Sequence, residues 1–459
     1  MTVEKSNNAP GQEAERHAQA VLGLDHQERF ATALPPRAEQ LWRMDGFAAN
    51  VPFTNPMFVP LGPSPDMGRV YAALAQVVAR HQALRTRLIV KDGRPLQIVE
   101  DWKVSRIASV DVKRHELAED RPDGPPSPVS EFTASAMDLY AQEGFQVRAF
   151  RDEQGEVTLG FVAHGYFSDA WSSQLLLKEF RAGLENGEAA ALPPVAQYVD
   201  YAQSQRRSLG ADLAAHLGYW QKKLGGMPAA KLPQEHHKQT GRRGRSYFFI
   251  REEILTRLTA VAAADRISLT LVLLAAFQLA LARWSGQREI LSAAYTADRV
   301  RPQFQGTIGF LVTNMPVCAR LEPAIGFRAF LADFAREFYG SYLHRELSCE
   351  LYDAIFAPQK PFCASVFNFV PLQARFSAGE LLSLPAFDEV VVGPDGARPA
   401  IYRDIYLGLA QYPNGLLGKL FYNADLFTPK GMEVFVGHFR HVVEKLASEP
   451  GVTLKGVLN

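Results

Sequence analysis

Cysteine is scarce in this chain: Cys318, Cys349 and Cys363 are its only cysteines among 459 residues, and no two of them form a Cys-x-x-Cys pair. So small and odd a number excludes a disulfide framework and fits a reducing, cytoplasmic setting with buried thiols. An excess of charge of either sign is missing too. The 49 basic residues balance 49 acidic ones, and the pI is near 7.2. Nothing in that balance draws the chain to nucleic acid or to an anionic membrane. No apolar run reaches the length of a membrane span, and the N-terminus lacks an apolar signal core. The chain also has no phosphate loop ending in Gly-Lys-Ser/Thr, no His-Glu-x-x-His and no Gly-x-Ser-x-Gly. Three common enzyme classes are thereby excluded, and no metal site is expected.

What the sequence does contain describes a mixed α/β protein. With 47% hydrophobic residues, it can bury two cores of roughly 150–220 residues each. Residues 1–28 are polar, rich in Glu, Asn and Gln, and are expected to be a mobile N-terminal segment, with order beginning near Phe30. Val70, Leu74, Val77 and Val78 recur at helical spacing up to His81, and the spacing predicts another helix over Glu131–Glu143. A strand is expected from Gln146 to Phe150. Residues Gln234 to Arg245 are polar and Gly-containing, a natural linker between two halves. In the second half, Thr270–Trp284 is nearly all apolar and predicts a buried helix. A strand follows at Glu289–Tyr295, and the last helix is expected over Gly431–Ala447.

The chain is organised around Phe161-Val162-Ala163-His164-Gly165-Tyr166-Phe167-Ser168-Asp169-Ala170-Trp171-Ser172. The mostly apolar run Glu156–Val162 before it predicts a buried strand; helical spacing begins after it at Ser173. His164 and Asp169 therefore lie on a strand-to-helix connection, where a scaffold can aim polar groups into a cleft. The same residues also fit a satisfied core histidine and a helix-capping aspartate.

Seven or more blocks in order resemble the condensation domains of nonribosomal peptide synthetases. The organising stretch is similar to that family's His-His-x-x-x-Asp-Gly followed by Trp-Ser. His164 falls on the first His, Asp169 on the Asp, and Gly165 where the family keeps its second, catalytic His. Arg80-His81-Gln82-Ala83-Leu84-Arg85-Thr86 resembles Arg-His-x-x-Leu-Arg-Thr, with His81 and Arg85 expected to be structural. Tyr198-Val199-Asp200-Tyr201-Ala202 and Tyr219-Trp220 match two helix blocks. Ile308-Gly309-Phe310-Leu311-Val312-Thr313-Asn314-Met315-Pro316 resembles a later one, with Asn and Thr in swapped order. His236-His237 is a decoy for the family's pair: no strand precedes it and no Asp follows at the right distance.

The resemblance implies an α/β (α+β) fold of two chloramphenicol-acetyltransferase-like lobes, a V-shaped pseudo-dimer with a central tunnel. The first lobe is expected over residues 29–184, inter-lobe helices and linker over 185–245, and the second lobe over 246–459. Acyl or peptidyl carrier proteins would act in trans, presenting substrates on phosphopantetheine, with no cofactor bound by this chain and no nucleic acid or membrane partner. His164 is the remaining catalytic candidate. Asp169 is expected to pair with Arg299, as in the family, and Gly165 to leave room where a base would stand. Tyr166, Thr313 and Asn314 are candidate tunnel-lining residues, and Ser168 belongs to the motif.

Three readings follow. The first, slightly favoured, is a stand-alone condensation enzyme that transfers a carrier-bound acyl group to an amine or alcohol. The second is a silent scaffold that recruits partner enzymes. The third is a tunnel reused for cyclisation of a carrier-bound intermediate.

Overall fold

The computed structural model describes residues 32–45, 53–101, 107–113, 127–134, 137–186, 192–228, 231–238, 240–356, 363–371, 391–396 and 403–459. The expected mobile segment 1–28 lies outside them. The first half begins with helix α1 (Pro36–Met44), which starts on a proline whose fixed φ suits a first helical turn. Strand β1 (Thr54–Gly62) follows, then α2 (Met67–Arg80), whose Asp66 carboxylate accepts the Gly68 and Arg69 N–H groups. Strands β2 (Ala108–Asp111), β3 (Phe145–Arg151) and β4 (Val157–His164) complete a four-stranded sheet in the order β1-β4-β3-β2. Helix α3 (Ala170–Asn186) packs beside α2.

The long helix α4 (Tyr198–Leu224) carries the chain to the second half. There β5 (Arg243–Arg251), helices α5 (Glu252–Ala264) and α6 (Leu269–Ser285), β6 (Glu289–Ala297) and β7 (Val312–Arg320) alternate. Helices α7 (Phe327–Tyr342) and α8 (Cys349–Phe356) come next. Strands β8 (Ser365–Val370), β9 (Val391–Gly396), β10 (Ile405–Tyr412) and β11 (Gly415–Asn423) follow, then α9 (Pro429–Ser448). The strands form one sheet in the order β7-β6-β8-β10-β11-β5-β9. Helix α6 is held by its ends: the Ser268 hydroxyl accepts the Leu271 N–H, and Gly286, at a φ of 72°, terminates it in the left-handed region. All of its residues from Leu271 to Ala282 are buried, which is why it reads as apolar on every face.

Two departures from expectation have local causes. The helix predicted over Glu131–Glu143 is short, Pro128–Ala134. Further on, the Asp138 carboxylate takes the Tyr140 N–H and the Leu139 carbonyl accepts Leu88 N–H, so this stretch is committed to a turn. The linker read over Gln234–Arg245 overlaps a strand, because β5 begins at Arg243 and pairs with β11.

The two halves interpenetrate. Phe304, Ile308, Phe310 and Leu311 come from the second half but belong to the hydrophobic core built by the first. No single described helix is long and apolar enough to cross a membrane.

Candidate functional site

Strand β4 ends at His164 and the chain turns through Gly165, Tyr166 and Phe167 before α3 begins. Backbone bonds set this turn: Gly165 N–H donates to Phe53 O at 2.6 Å and His164 N–H to Gly144 O at 2.7 Å. The His164 side chain is fully buried. Its Nδ1 accepts the Tyr166 N–H at 3.2 Å, which places the proton of a neutral ring on Nε2. Phe53 and Tyr166 flank the imidazole, with ring centroids at 5.9 and 4.8 Å.

The space expected at Gly165 is occupied. A Cβ added there would collide with the Phe53 ring, so a side chain and that ring exclude each other. Phe53 in turn packs edge-on against Tyr166 and against Phe310 of the second half. Tyr166 is buried and donates its hydroxyl to Asp45 Oδ2 at 2.8 Å. Burial first, and the Asp45 carboxylate second, push its hydroxyl well above the usual tyrosine range.

Asp169 and Arg299 meet as the resemblance implied, Nη2 lying 2.9 and 3.0 Å from the two carboxylate oxygens. Each side chain is 4% exposed. The carboxylate also accepts Ser172 N–H at 2.7 Å and Leu311 N–H at 3.0 Å. Arg299 Nη1 donates to the carbonyls of Phe304 and Thr307. The Ser172 hydroxyl lies between Asp169 Oδ1 (2.7 Å) and Gly309 O (2.8 Å) and accepts Gly309 N–H at 3.0 Å. Gly309 has no alternative here, since a Cβ would strike the Tyr198 ring. Asp169 therefore caps α3 and fastens the two halves; with both oxygens taken by donors, it is not placed to accept a proton from substrate. Ser168 is buried, its Oγ 3.5 Å from Asp169 O and its carbonyl bonded to Asn55.

Thr313 and Asn314 are buried as well and engaged within the protein. Thr313 Oγ1 donates to Arg345 O at 2.8 Å; Asn314 Nδ2 donates to Glu350 Oε1 at 2.9 Å. Glu350 is the centre of a second tie between the halves. Arg37 of α1 donates through Nε to Glu350 Oε2 at 3.1 Å and through Nη1 to Val312 O at 2.7 Å. Burial alone would raise the Glu350 carboxyl, but Arg37 and Arg403 outweigh it and hold the group at about 2. The guanidinium of Arg37 also lies over Phe310 at 4.8 Å and Tyr295 at 5.1 Å.

Sequence reasoning missed Phe53, Arg37 and Glu350. Phe53 looks like any core aromatic in a short apolar run, and nothing in a single sequence pairs it with Gly165. A buried carboxylate such as Glu350 demands a partner, yet Arg37 is 313 positions away. His81, by contrast, sits as expected at the end of α2, its Nε2 2.8 Å from Glu179 Oε2, and Arg85 bonds Glu100 O. His236 and His237 lie outside any regular element.

The Condensation domain model matches residues 49–458, and the chain belongs to that family. A linear gramicidin synthase protein of Brevibacillus parabrevis is 28% identical over 439 residues, covering 90% of this chain and 8% of that protein. N-(5-amino-5-carboxypentanoyl)-L-cysteinyl-D-valine synthase of Amycolatopsis lactamdurans is 28% identical over 428 residues, covering 90% and 11%. The chain thus spans a small part of the length of these curated relatives. Among solved structures, the condensation domain of the Monacolin K polyketide synthase MokA matches with a TM-score of 0.77 at 16% identity, covering 94% of this chain and 100% of that one. The X-domain from teicoplanin biosynthesis matches at 0.75 and 20%, covering 94% and 99%. The same X-domain has been seen in complex with OxyB, matching at 0.72 and 19% over 95% and 97%. These likenesses establish the fold of two chloramphenicol-acetyltransferase-like lobes.

Proposed function

We propose that this protein is a condensation-fold platform: it engages carrier-borne intermediates of an assembly line and brings a partner enzyme to them, without condensing them itself. The observation that carries this reading is the Phe53 ring, which occupies the position where the family's second histidine would project, beside a His164 with no exposed surface. General-base help is worth about a hundred- to ten-thousand-fold in such reactions, and here the usual base is missing and its place is filled. Asp169 offers no substitute, since its oxygens serve the Arg299 tie. The likeness to an X-domain that forms a complex with OxyB supports the same reading. It reverses the slight preference for an acyltransferase drawn from the sequence. Substrates would arrive on the phosphopantetheine arms of acyl or peptidyl carrier proteins, with no cofactor bound by this chain.

Loaded carrier proteins, incubated with and without the protein, test the proposal by intact mass and by binding measured on immobilised carrier. Retention of a loaded carrier with no new covalent mass is expected. A new amide, ester or cyclised product that depends on this protein overturns it.

A further inference from the structure

We propose that Cys349 and Cys363 are a redox pair, and that two-electron oxidation ties the start of α8 to the entrance of β8 through a disulfide. Their Sγ atoms stand 3.4 Å apart. Each residue is 1% exposed, so the two thiols face each other in a closed site. Reaching the bonded distance of about 2.05 Å requires a shift of little more than ~1 Å, within the range of side-chain adjustment. Cys363 Sγ also lies 3.5 Å from Ser292 O of β6, which fixes it against the central sheet.

The reaction balances with hydrogen peroxide as oxidant. One cysteine, as thiolate, attacks the peroxide oxygen; the O–O bond breaks, a sulfenic acid forms and the other oxygen leaves as water. The second thiol displaces the sulfenic oxygen, which leaves as a second water, and an S–S bond forms. The two sulfurs together lose two electrons and the peroxide gains them. Burial, followed by the hydrogen bond with Cys363, pushes the Cys349 thiol well above its usual range, so thiolate is rare and the pair reacts slowly. The closed site also favours a small neutral oxidant over a bulky disulfide.

The pair has a place in the fold that gives oxidation a consequence. Cys349 directly precedes Glu350, which holds Arg37 and Asn314. A bond between the sulfurs anchors the base of that tie to the large sheet. This inference does not depend on whether the protein condenses substrates or only presents them.

The folded protein is treated with hydrogen peroxide, alkylated in denaturant and digested with a glutamyl endopeptidase. Cleavage after Glu350 puts Cys349 and Cys363 on separate peptides. The expected result is a Cys349–Cys363 linked peptide pair that a phosphine reductant releases. Oxidised protein should also melt about 3 °C higher, as closing a short loop predicts. Cys318→Ser retains the link and Cys349→Ser loses it; the peptide map of the unaltered protein decides the matter whether or not that second variant folds. Three results overturn the proposal: sulfinic acids on the two separate peptides, a link that involves Cys318, or both thiols still alkylated after treatment that oxidises methionines of the same sample.

Discussion

At Gly165 even a methyl group would run into the Phe53 ring. Gly165→Ala should therefore cost about 1–3 kcal/mol through overpacking, while the same change in a Phe53→Ala background should cost much less. A double-mutant cycle by chemical denaturation checks this, and equal costs in both backgrounds would show that ring and glycine are uncoupled. Asp169→Ala leaves Arg299 buried beside two carbonyls with its carboxylate gone, so a loss on the order of 3–5 kcal/mol is expected; an unchanged melting temperature would contradict it. Glu350 gives a pH signature. Its folded value of about 2 lies below the ordinary carboxylate value of 4.5, so its contribution is complete above that value and is lost as pH falls toward 2. In Glu350→Gln, which lacks the titration, melting temperature should fall less between pH 4.5 and 2 than in the parent. The Asp169–Arg299 pair was legible because the family resemblance implied it. Phe53 and Glu350 were not, because their importance comes from a neighbour remote in sequence.

Among the elements, α4 is held to the end of α7 by an unusual contact. His216 Nδ1 and His344 Nδ1 are 3.1 Å apart, and the Tyr219 ring stacks on His344 at 3.9 Å. Such a bond needs an unprotonated Nδ1 on one ring as acceptor, so it cannot form when both rings are imidazolium cations. Burial lowers His216, helped by His344 and Arg345 and opposed by Asp212; burial and Lys223 lower His344. Both folded values lie below the ordinary 6.5, so the unfolded chain binds protons first, and stability is lost as pH falls below that value. His344→Gln should flatten the dependence of melting temperature on pH between 7 and 5; an identical slope in the two proteins would exclude the pair as its source. Element boundaries were most legible where local chemistry marks both ends. Helix α6 has Ser268 and Gly286 for this purpose, and α9 has Thr428, whose hydroxyl accepts Gly431 N–H. The stretch after Ala134 misled because Leu139 makes its backbone bond to Leu88, a partner that no local pattern announces.

For the whole molecule, the buried ties have a mechanical consequence. Asp169–Arg299 and Arg37–Glu350 each join residues from opposite halves, and Phe304, Ile308, Phe310 and Leu311 are packed in the first core. The covalent connection between α4 and β5 is therefore not what keeps the halves together. Residues 233–235, 237 and 238 of that connection are exposed. Co-expressed fragments, cut after Lys238, should assemble without a peptide bond between them and elute as one heterodimer from a sizing column. Arg299→Ala and Arg37→Ala together should weaken that fragment complementation at least tenfold in titration. Such a pair would report on the seam directly: a split version of this fold is a sensor whose two pieces come together only when the interior between them is correctly closed.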